Sequence, residues 1–226
     1  GALEIRQAGQ EFDKMRKRIL RHLNQRTEML SGISHDLRTP LTRMKLQIAF
    51  IKDKDLAKRL AEDINEMEKM LNEYLQFTSS SYIEKDEMFN LSELMEEIIS
   101  KYNNKNIHRD LLHRVYINGR KNLINRSINN IIDNALKYGN KIEVKLVREN
   151  SNLSIIIDDD GSGIPEKEYE NVFKPFYKID KGRTESKSSV GLGLSIASDI
   201  VKSHGGNIVL NKSKMNGLSV KISLPV

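Results

Sequence analysis

The sequence predicts two unlike parts: an antiparallel helical hairpin that closes into a four-helix bundle with a second copy, then a helix-on-sheet α/β sandwich. Three observations carry this. Apolar residues recur at steps of three and four from Ala8 to Leu75, a polar stretch without period follows around "SSSYIEKDE", and beyond it short alternating runs sit between amphipathic helices.

Taken in order, Ala8, Phe12, Met15 and Ile19 open a helical pattern that continues through Leu30, Ile33, Leu37, Leu41, Met44, Ile48 and Ile51. The charged "KDKD" at 52–55 reads as a tight turn, and the pattern resumes at Leu56, Leu60, Ile64, Met67, Leu71 and Leu75. Each helix then carries one narrow apolar stripe that the chain itself does not cover, so a homodimer is expected. Ala8, Met15, His22 and Met29 share one heptad position and Phe12, Ile19, Arg26 and Ile33 another. The polar His22 and Arg26 interrupt that seam, and a weak spot is expected there. After a linker at "SSS", "NLSELMEEII" reads as a helix capped by Asn90, with Glu93 three residues on. A second helix covers about 120 to 138, and "KIEVKLV", "LSIIIDD", "NIVL" and "LSVKISLPV" read as strands of an antiparallel or mixed sheet.

Composition narrows the function. The 226 residues carry a net charge of +6, but the basic residues are interleaved with 31 acids and there is no tryptophan, which argues against a nucleic-acid face. The absence of cysteine excludes disulfides and thiolate metal sites and suits a reducing compartment. No apolar run reaches eighteen residues, and the glycine start without a signal-like stretch reads as a piece of something longer.

The chemistry-bearing stretch of the first part is "SGISHDLRTPLTRMKL". Two helical residues turn a side chain by about 200°, so His35 is expected to point away from Ile33 and Leu37 into water. Thr39 shares its face about 6 Å further along the axis, with Asp36 beside the ring. Pro40 lacks an N–H and its ring meets the carbonyl of Asp36, so the helix is expected to bend or loosen there. A neutral imidazole is a competent nucleophile near pH 7, and a carboxylate such as Asp36 can fix its tautomer and free the other nitrogen. "HDLRTPL" resembles the phosphoacceptor box of the sensor histidine kinases, and "RTEMLSGISHDLRTPLTRMKL" is similar to osmosensor kinases of the EnvZ type. The resemblance implies that His35 takes the γ-phosphoryl group of ATP and passes it to an aspartate of a response regulator. It further implies that the polar Thr39 supports removal of phosphate from that regulator.

No Walker motif is present, and four other patches fit a nucleotide instead. In "NRSINNIIDNALKYGN", Asn130, Asn134 and Lys137 line one face opposite Ile128, Ile131, Ile132 and Ala135. Amide oxygens can ligate a metal and the ammonium can meet phosphate. The stretch resembles the N box of the ATP-binding fold shared by histidine kinases, Hsp90-type chaperones, MutL proteins and gyrases. By that likeness Asn134 is the Mg²⁺ ligand, Asn130 its companion, and Lys137 and Tyr138 contact phosphate or ring. Hydrolytic relatives carry a glutamate where Asn130 stands, so transfer to a protein nucleophile is the better reading.

"IIIDDDGSGI" resembles the first glycine box, which implies that Asp159 accepts the adenine amino proton while Gly161 and Gly163 open the turn; Asp158 and Asp160 are expected to be solvated or to lie behind it. "FKPFYK" resembles the F box, with Phe173 and Phe176 as anchors of a lid whose Lys178, Lys181, Arg183 or Lys187 closes over phosphates. "VGLGLSIASDIV" resembles the second glycine box, in which Gly191, Leu192, Gly193 and Leu194 enter a helix whose N-terminus faces phosphate. Ser189 stands where the family has its first glycine, which leaves a phosphatase-dominated or pseudokinase member, or less readily a related ATPase, as alternatives.

The opening "GALEIRQAGQEFDKMRKRI" resembles the last helix of a HAMP signalling module, and the resemblances together imply a HAMP-like final helix at 1–26, a dimerisation and phosphotransfer hairpin at 27–81 and a catalytic ATP-binding domain at 82–226. The resemblance implies ATP and Mg²⁺ as cofactors and an OmpR-like receiver domain as partner. It also implies a membrane anchor upstream of residue 1, at the cytoplasmic side of a bacterial inner membrane.

Overall fold

The structure, a computed structural model, describes residues 2–79, 84–102, 105–149, 152–179 and 191–225, which fall in two compact units, Gly1–Ile83 and Glu84–Val226. The first unit is a helical hairpin of α1 (Ala2–Ile48) and α2 (Lys54–Ser79). Its turn differs from the expected one. Helix α1 stops at Ile48, Phe50 and Ile51 donate back to Gln47 O and Ile48 O (3.1 and 3.0 Å), and Ile51 leaves the helix. The charged run is split because Asp53 acts as a cap: its Oδ1 accepts from the N–H groups of Asp55 and Leu56, both at 3.0 Å, so Lys54 and Asp55 are already helical. Helix α1 also runs through Pro40 without interruption.

Leu41 and Ile64 are buried between the two helices, and flanking polar pairs fix the register. Lys45 Nζ donates to Glu68 Oε2 (2.6 Å), and Arg38 donates to Asn72 Oδ1 (3.2 Å). Part of the expected seam is open on the single chain, where Ile33, Leu37, Met44, Leu56 and Met67 are exposed together with Met29, while Ile48, Ile51, Leu60 and Leu71 are half-buried. The side chains of His22, Arg26 and His35 lie outside the described residues.

The second unit has the order β1 (Glu87–Asn90), α3 (Leu91–Ser100), β2 (Asn106–Leu111), β3 (Tyr116–Gly119), α4 (Lys121–Tyr138), β4 (Lys141–Glu149), β5 (Asn152–Asp159), two 3₁₀ turns (Glu166–Glu168 and Asn171–Phe173), α5 (Gly193–Ser203), β6 (Asn207–Lys212) and β7 (Leu218–Pro225). The five-stranded sheet runs β2-β4-β5-β7-β6, antiparallel except for the parallel pair β2–β4, and β1 and β3 form a separate antiparallel pair. One face of the sheet, with Val144, Ile155, Ile157, Val220 and Ile222, is buried against Leu94, Ile98, Ile128, Ile132, Ala197 and Val201 of the three helices. This two-layer mixed sandwich is the predicted architecture, with three strands added. β2 reads "NIHRDL", a charged edge strand paired on one side only, and β1 and β3 are four residues each, too short for alternation to register.

Two caps hold this unit's helix starts. Asn90 Oδ1 accepts from Ser92 N (3.1 Å) and Glu93 N (3.4 Å) at α3, and its amide donates to Glu93 Oε1 (2.7 Å). At α4 the cap comes from outside the helix: the Glu84 carboxylate accepts from Asn122 N (2.7 Å) and Leu123 N (3.2 Å).

Candidate nucleotide-binding site

The exit of α4 is tied to the end of β5, and the middle of α4 to the start of α5. Asp159 ends β5 and is buried, and its Oδ1 accepts from Gly161 N (2.8 Å) and from Leu218 N (3.1 Å). Burial pushes its carboxyl above the ordinary range, the two N–H groups pull it back down, and repulsion from Asp160 and Asp158 adds to the rise. Of the two alternatives expected for the neighbouring aspartates, solvated or behind the site, the second describes them. Asp158 is buried rather than solvated. Asp160 is a clamp: its Oδ1 accepts from Asn140 N (2.6 Å) and Lys141 N (2.9 Å), which ties the exit of α4 to the end of β5 and holds that carboxyl below its usual range.

Gly161 passes directly over Tyr138, so closely that a Cβ there would lie 2.6 Å from the Tyr138 carbonyl oxygen. Gly163, at φ +67°, backs onto Gly217. Gly217 has no counterpart among the residues singled out from sequence. A side chain on it would overlap both the Asp159 carboxylate and the Asp159 carbonyl. The loop "SKMNGLS" therefore closes one wall of the site, and the signal for it was available as an Asn-Gly pair between two alternating runs.

On α4, Asn130, Asn134 and Lys137 are half-buried on the face opposite the buried Ile128, Ile131, Ile132 and Ala135. The Asn130 amide donates to Gly193 O (3.4 Å), which joins this stripe to the start of α5; one turn earlier Ser127 Oγ donates to Ala197 O (3.4 Å). Lys137 Nζ lies 5.1 Å from the centre of the exposed Tyr138 ring. Helix α5 starts at Gly193 without a side-chain cap, so its first N–H groups are available to a ligand. Leu192 points into the core and Leu194 packs against it, so these two shape the floor.

The two ends of the expected lid are pinned to each other by backbone. Phe176 N donates to Gly191 O (2.9 Å), and both residues have positive φ, +63° and +79°. Phe173 packs against the core, whereas Phe176 is exposed, so its anchoring is by main chain and not by a buried ring. Tyr177 is braced from below: its hydroxyl donates to Glu168 Oε2 (2.6 Å), which also accepts from Asn171 (3.1 Å). Lys178 is half-buried; Lys181, Arg183, Lys187 and Ser189 lie outside the described residues.

Asn130, Asn134, Lys137, Asp159, Gly161, Gly163, Gly191 and Gly193 thus sit around one corner of the second unit, while Asp36 and Thr39 are exposed on α1 of the first. Among the described residues there is no group of three or more His, Asp or Glu able to hold a metal, and no helix long and apolar enough to cross a membrane.

A mixed sandwich that carries an asparagine stripe, a buried, backbone-held aspartate and an uncapped helix start is an arrangement suited to a nucleotide. Residues 119–226 match the histidine kinase-, DNA gyrase B-, and HSP90-like ATPase family, and residues 25–82 match the His Kinase A (phospho-acceptor) domain. With both domains in this order, the chain belongs to the sensor histidine kinases. It is 34% identical to sensor histidine kinase GtrS of Pseudomonas aeruginosa over all of this chain and 47% of GtrS. It is also 33% identical to sensor histidine kinase WalK of Bacillus subtilis over 89% of this chain and 37% of WalK. The chain therefore spans half or less of these curated relatives. Among solved structures, full-length ShkA in complex with AMPPNP superposes with a TM-score of 0.66 at 19% identity, over 88% of this chain and 45% of that one, a likeness of fold.

Proposed function

We propose that this chain is the catalytic core of a dimeric sensor histidine kinase that phosphorylates His35 from Mg-ATP and passes the group to an aspartate of a response regulator. The observation that carries the nucleotide half is the buried Asp159, with two backbone N–H groups converging on one of its oxygens and a glycine wall that a Cβ would fill. A carboxylate held this way suits an exocyclic amino group as donor, which fits the adenine end of ATP. The half-buried amides and ammonium of Asn130, Asn134 and Lys137 lead from it toward the uncapped start of α5, which fits a phosphate chain.

Within this reading Asn134, with Asn130 beside it, supplies the amide oxygen for Mg²⁺, which neutralises phosphate charge when bound. Lys137 and the N–H groups at Gly191 and Gly193 bind phosphate oxygens, Tyr138 borders the ring or phosphates, and Lys178 closes from the lid. His35 is the nucleophile, Asp36 orients its ring, and Thr39 places a water for dephosphorylation of the regulator. Having Asn130 where hydrolytic relatives have glutamate disfavours plain ATP hydrolysis. The open apolar stripe of α1 and α2 supports a homodimer.

The finer assignments belong to the same proposal. They are a HAMP-like end over 1–26, a hairpin over 27–81 and a catalytic domain over 82–226, with the hairpin of EnvZ type. The regulator is OmpR-like, and the full-length protein is anchored in the inner membrane with this part on the cytoplasmic side. A chase experiment tests the reading. The chain is labelled with γ-labelled ATP, freed of nucleotide and mixed with an OmpR-type receiver domain. Label should leave the chain and appear as acyl phosphate on the receiver; label that stays put, or is lost as phosphate before any receiver is added, contradicts it.

A further inference from the structure

Beside the start of α5 lies a hydrogen-bonded cluster that the roles above do not use. Tyr177 packs its ring against the core, and its hydroxyl donates to Glu168 Oε2 at 2.6 Å. Glu168 sits in the first 3₁₀ turn, its N–H donating to Pro165 O (2.8 Å), and the same carboxylate oxygen accepts from the Asn171 amide (3.1 Å). Asn171 Oδ1 in turn accepts from Lys174 Nζ (2.7 Å). The bond to Tyr177, and then that to Asn171, hold the Glu168 carboxyl below its ordinary range, and the bond to Glu168 holds the Tyr177 hydroxyl above its own. At neutral pH the phenol therefore donates and the carboxylate accepts.

The residue before Tyr177 is in a costly conformation. Phe176 has φ +63°, which a residue with a Cβ rarely adopts, and such backbone persists only where its surroundings hold it. Here its N–H donates to Gly191 O (2.9 Å), and the side chain that follows it is fixed at both ring and hydroxyl. Gly191 lies so close to this main chain that a Cβ on it would be 2.9 Å from Tyr177 O and 3.1 Å from Phe176 C. One residue on, the buried Leu192 leads into α5: its carbonyl accepts from Ile196 N and Ser195 Oγ, both at 2.9 Å. We propose that Tyr177 is a positioning residue for phosphate binding: through its bond to Glu168 it holds the Phe176–Gly191 crossing, and so the place from which Gly191 and Gly193 present their N–H groups. This rests on reading those N–H groups as phosphate ligands. Neither Tyr177 nor Glu168 is assigned a contact with the nucleotide.

The test is calorimetric titration of the whole chain with Mg-ATP for Tyr177→Phe, Glu168→Ala, their double variant and Glu168→Gln, which keeps an oxygen acceptor. Thermal melts are run alongside, and the initial rate of labelling by γ-labelled ATP is measured against ATP concentration. Tyr177→Phe keeps the ring in the core and should weaken ATP binding about fivefold, the net size of one hydrogen bond written as a ratio. KM should rise by the same factor, with the saturated labelling rate unchanged. Glu168→Ala should match it, the double variant should be no weaker than either, and Glu168→Gln should stay within about twofold of the unaltered chain. Unchanged affinity in Tyr177→Phe overturns the inference. So does a double variant weaker than both single ones, because the two groups would then act separately, and so does a Glu168→Gln as weak as Glu168→Ala. A saturated rate that falls with Tm while KM stays put marks plain loss of structure and overturns it too. If the unaltered chain fails to bind Mg-ATP, the functional reading falls first and this inference with it, an outcome distinct from the others.

Discussion

Replacing Gly217 with alanine should damage the second unit out of proportion to one methyl group. An added Cβ there overlaps the Asp159 carboxylate and carbonyl oxygens and lies 2.6 Å from Gly161 N. None of these is the loose end of a flexible side chain, because the carboxylate is held by Gly161 N and Leu218 N. Overpacking of this kind costs about 1–3 kcal/mol. Disturbing hydrogen bonds to a buried charged group costs about 1.5–3 kcal/mol each, though the terms do not add fully. A net loss of roughly 3 kcal/mol follows, a drop of about 6–12 °C in Tm for a chain of this size. The control is Gly205→Ala. Gly205 has positive φ, +71°, and a Cβ there meets only Pro225 at 3.6 Å, so the backbone strain alone, about 1–2 kcal/mol, is expected. Thermal unfolding followed by circular dichroism compares the two, with ATP affinity measured on the folded variants. The reasoning is refuted if Gly217→Ala melts at or above Gly205→Ala and binds ATP normally, since the wall around Asp159 would then be able to yield.

Three further outcomes are expected. Asp159 has its pKa raised on folding, so the folded state takes up a proton more readily than the unfolded chain. As pH falls through the window just above the ordinary aspartate range, this group should add stability while ATP affinity declines. Both trends should vanish in Asp159→Asn, and affinity flat down to pH 4 in the unaltered chain would contradict the assignment. Glu84→Ala, which removes the cap on Asn122 N and Leu123 N, should lower stability by about 1 kcal/mol in urea titrations. No change would mean that water caps α4 equally well. Gly191→Ala forces a non-glycine residue to φ +79° with its Cβ 2.9 Å from Tyr177 O, so the main-chain pin at the lid root should loosen. The readout is faster proteolytic cleavage between Tyr177 and Leu192, and an unchanged cleavage rate would show that the pin holds without it.

Much of this was written locally in the chain, and what was not has a common cause. Asn90 with Glu93, the buried stripe of α4 and the strands at Lys141–Glu149 and Asn152–Asp159 are set by residues that are neighbours on one element, so spacing reveals them. The α4 cap from Glu84, the clamp of Asp160 on Asn140 and Lys141, and the Gly217 wall join residues about 20 to 60 positions apart, and no periodicity marks such partners. The hairpin turn was misplaced because "KDKD" looks uniform, whereas only Asp53 stands where its carboxylate can cap α2. At Phe176 an aromatic in a family box suggested an anchor, and what the sequence does not show is that the main chain of this residue makes the bond to Gly191 while its ring is exposed.

The most direct test of the central claim is to incubate the chain and its His35→Gln variant with γ-labelled ATP and Mg²⁺ and to treat the labelled protein with acid and alkali. The account expects label that is lost in acid, kept in alkali and absent from the variant. Label that persists in His35→Gln, or no label on an unaltered chain shown to bind ATP, would contradict it.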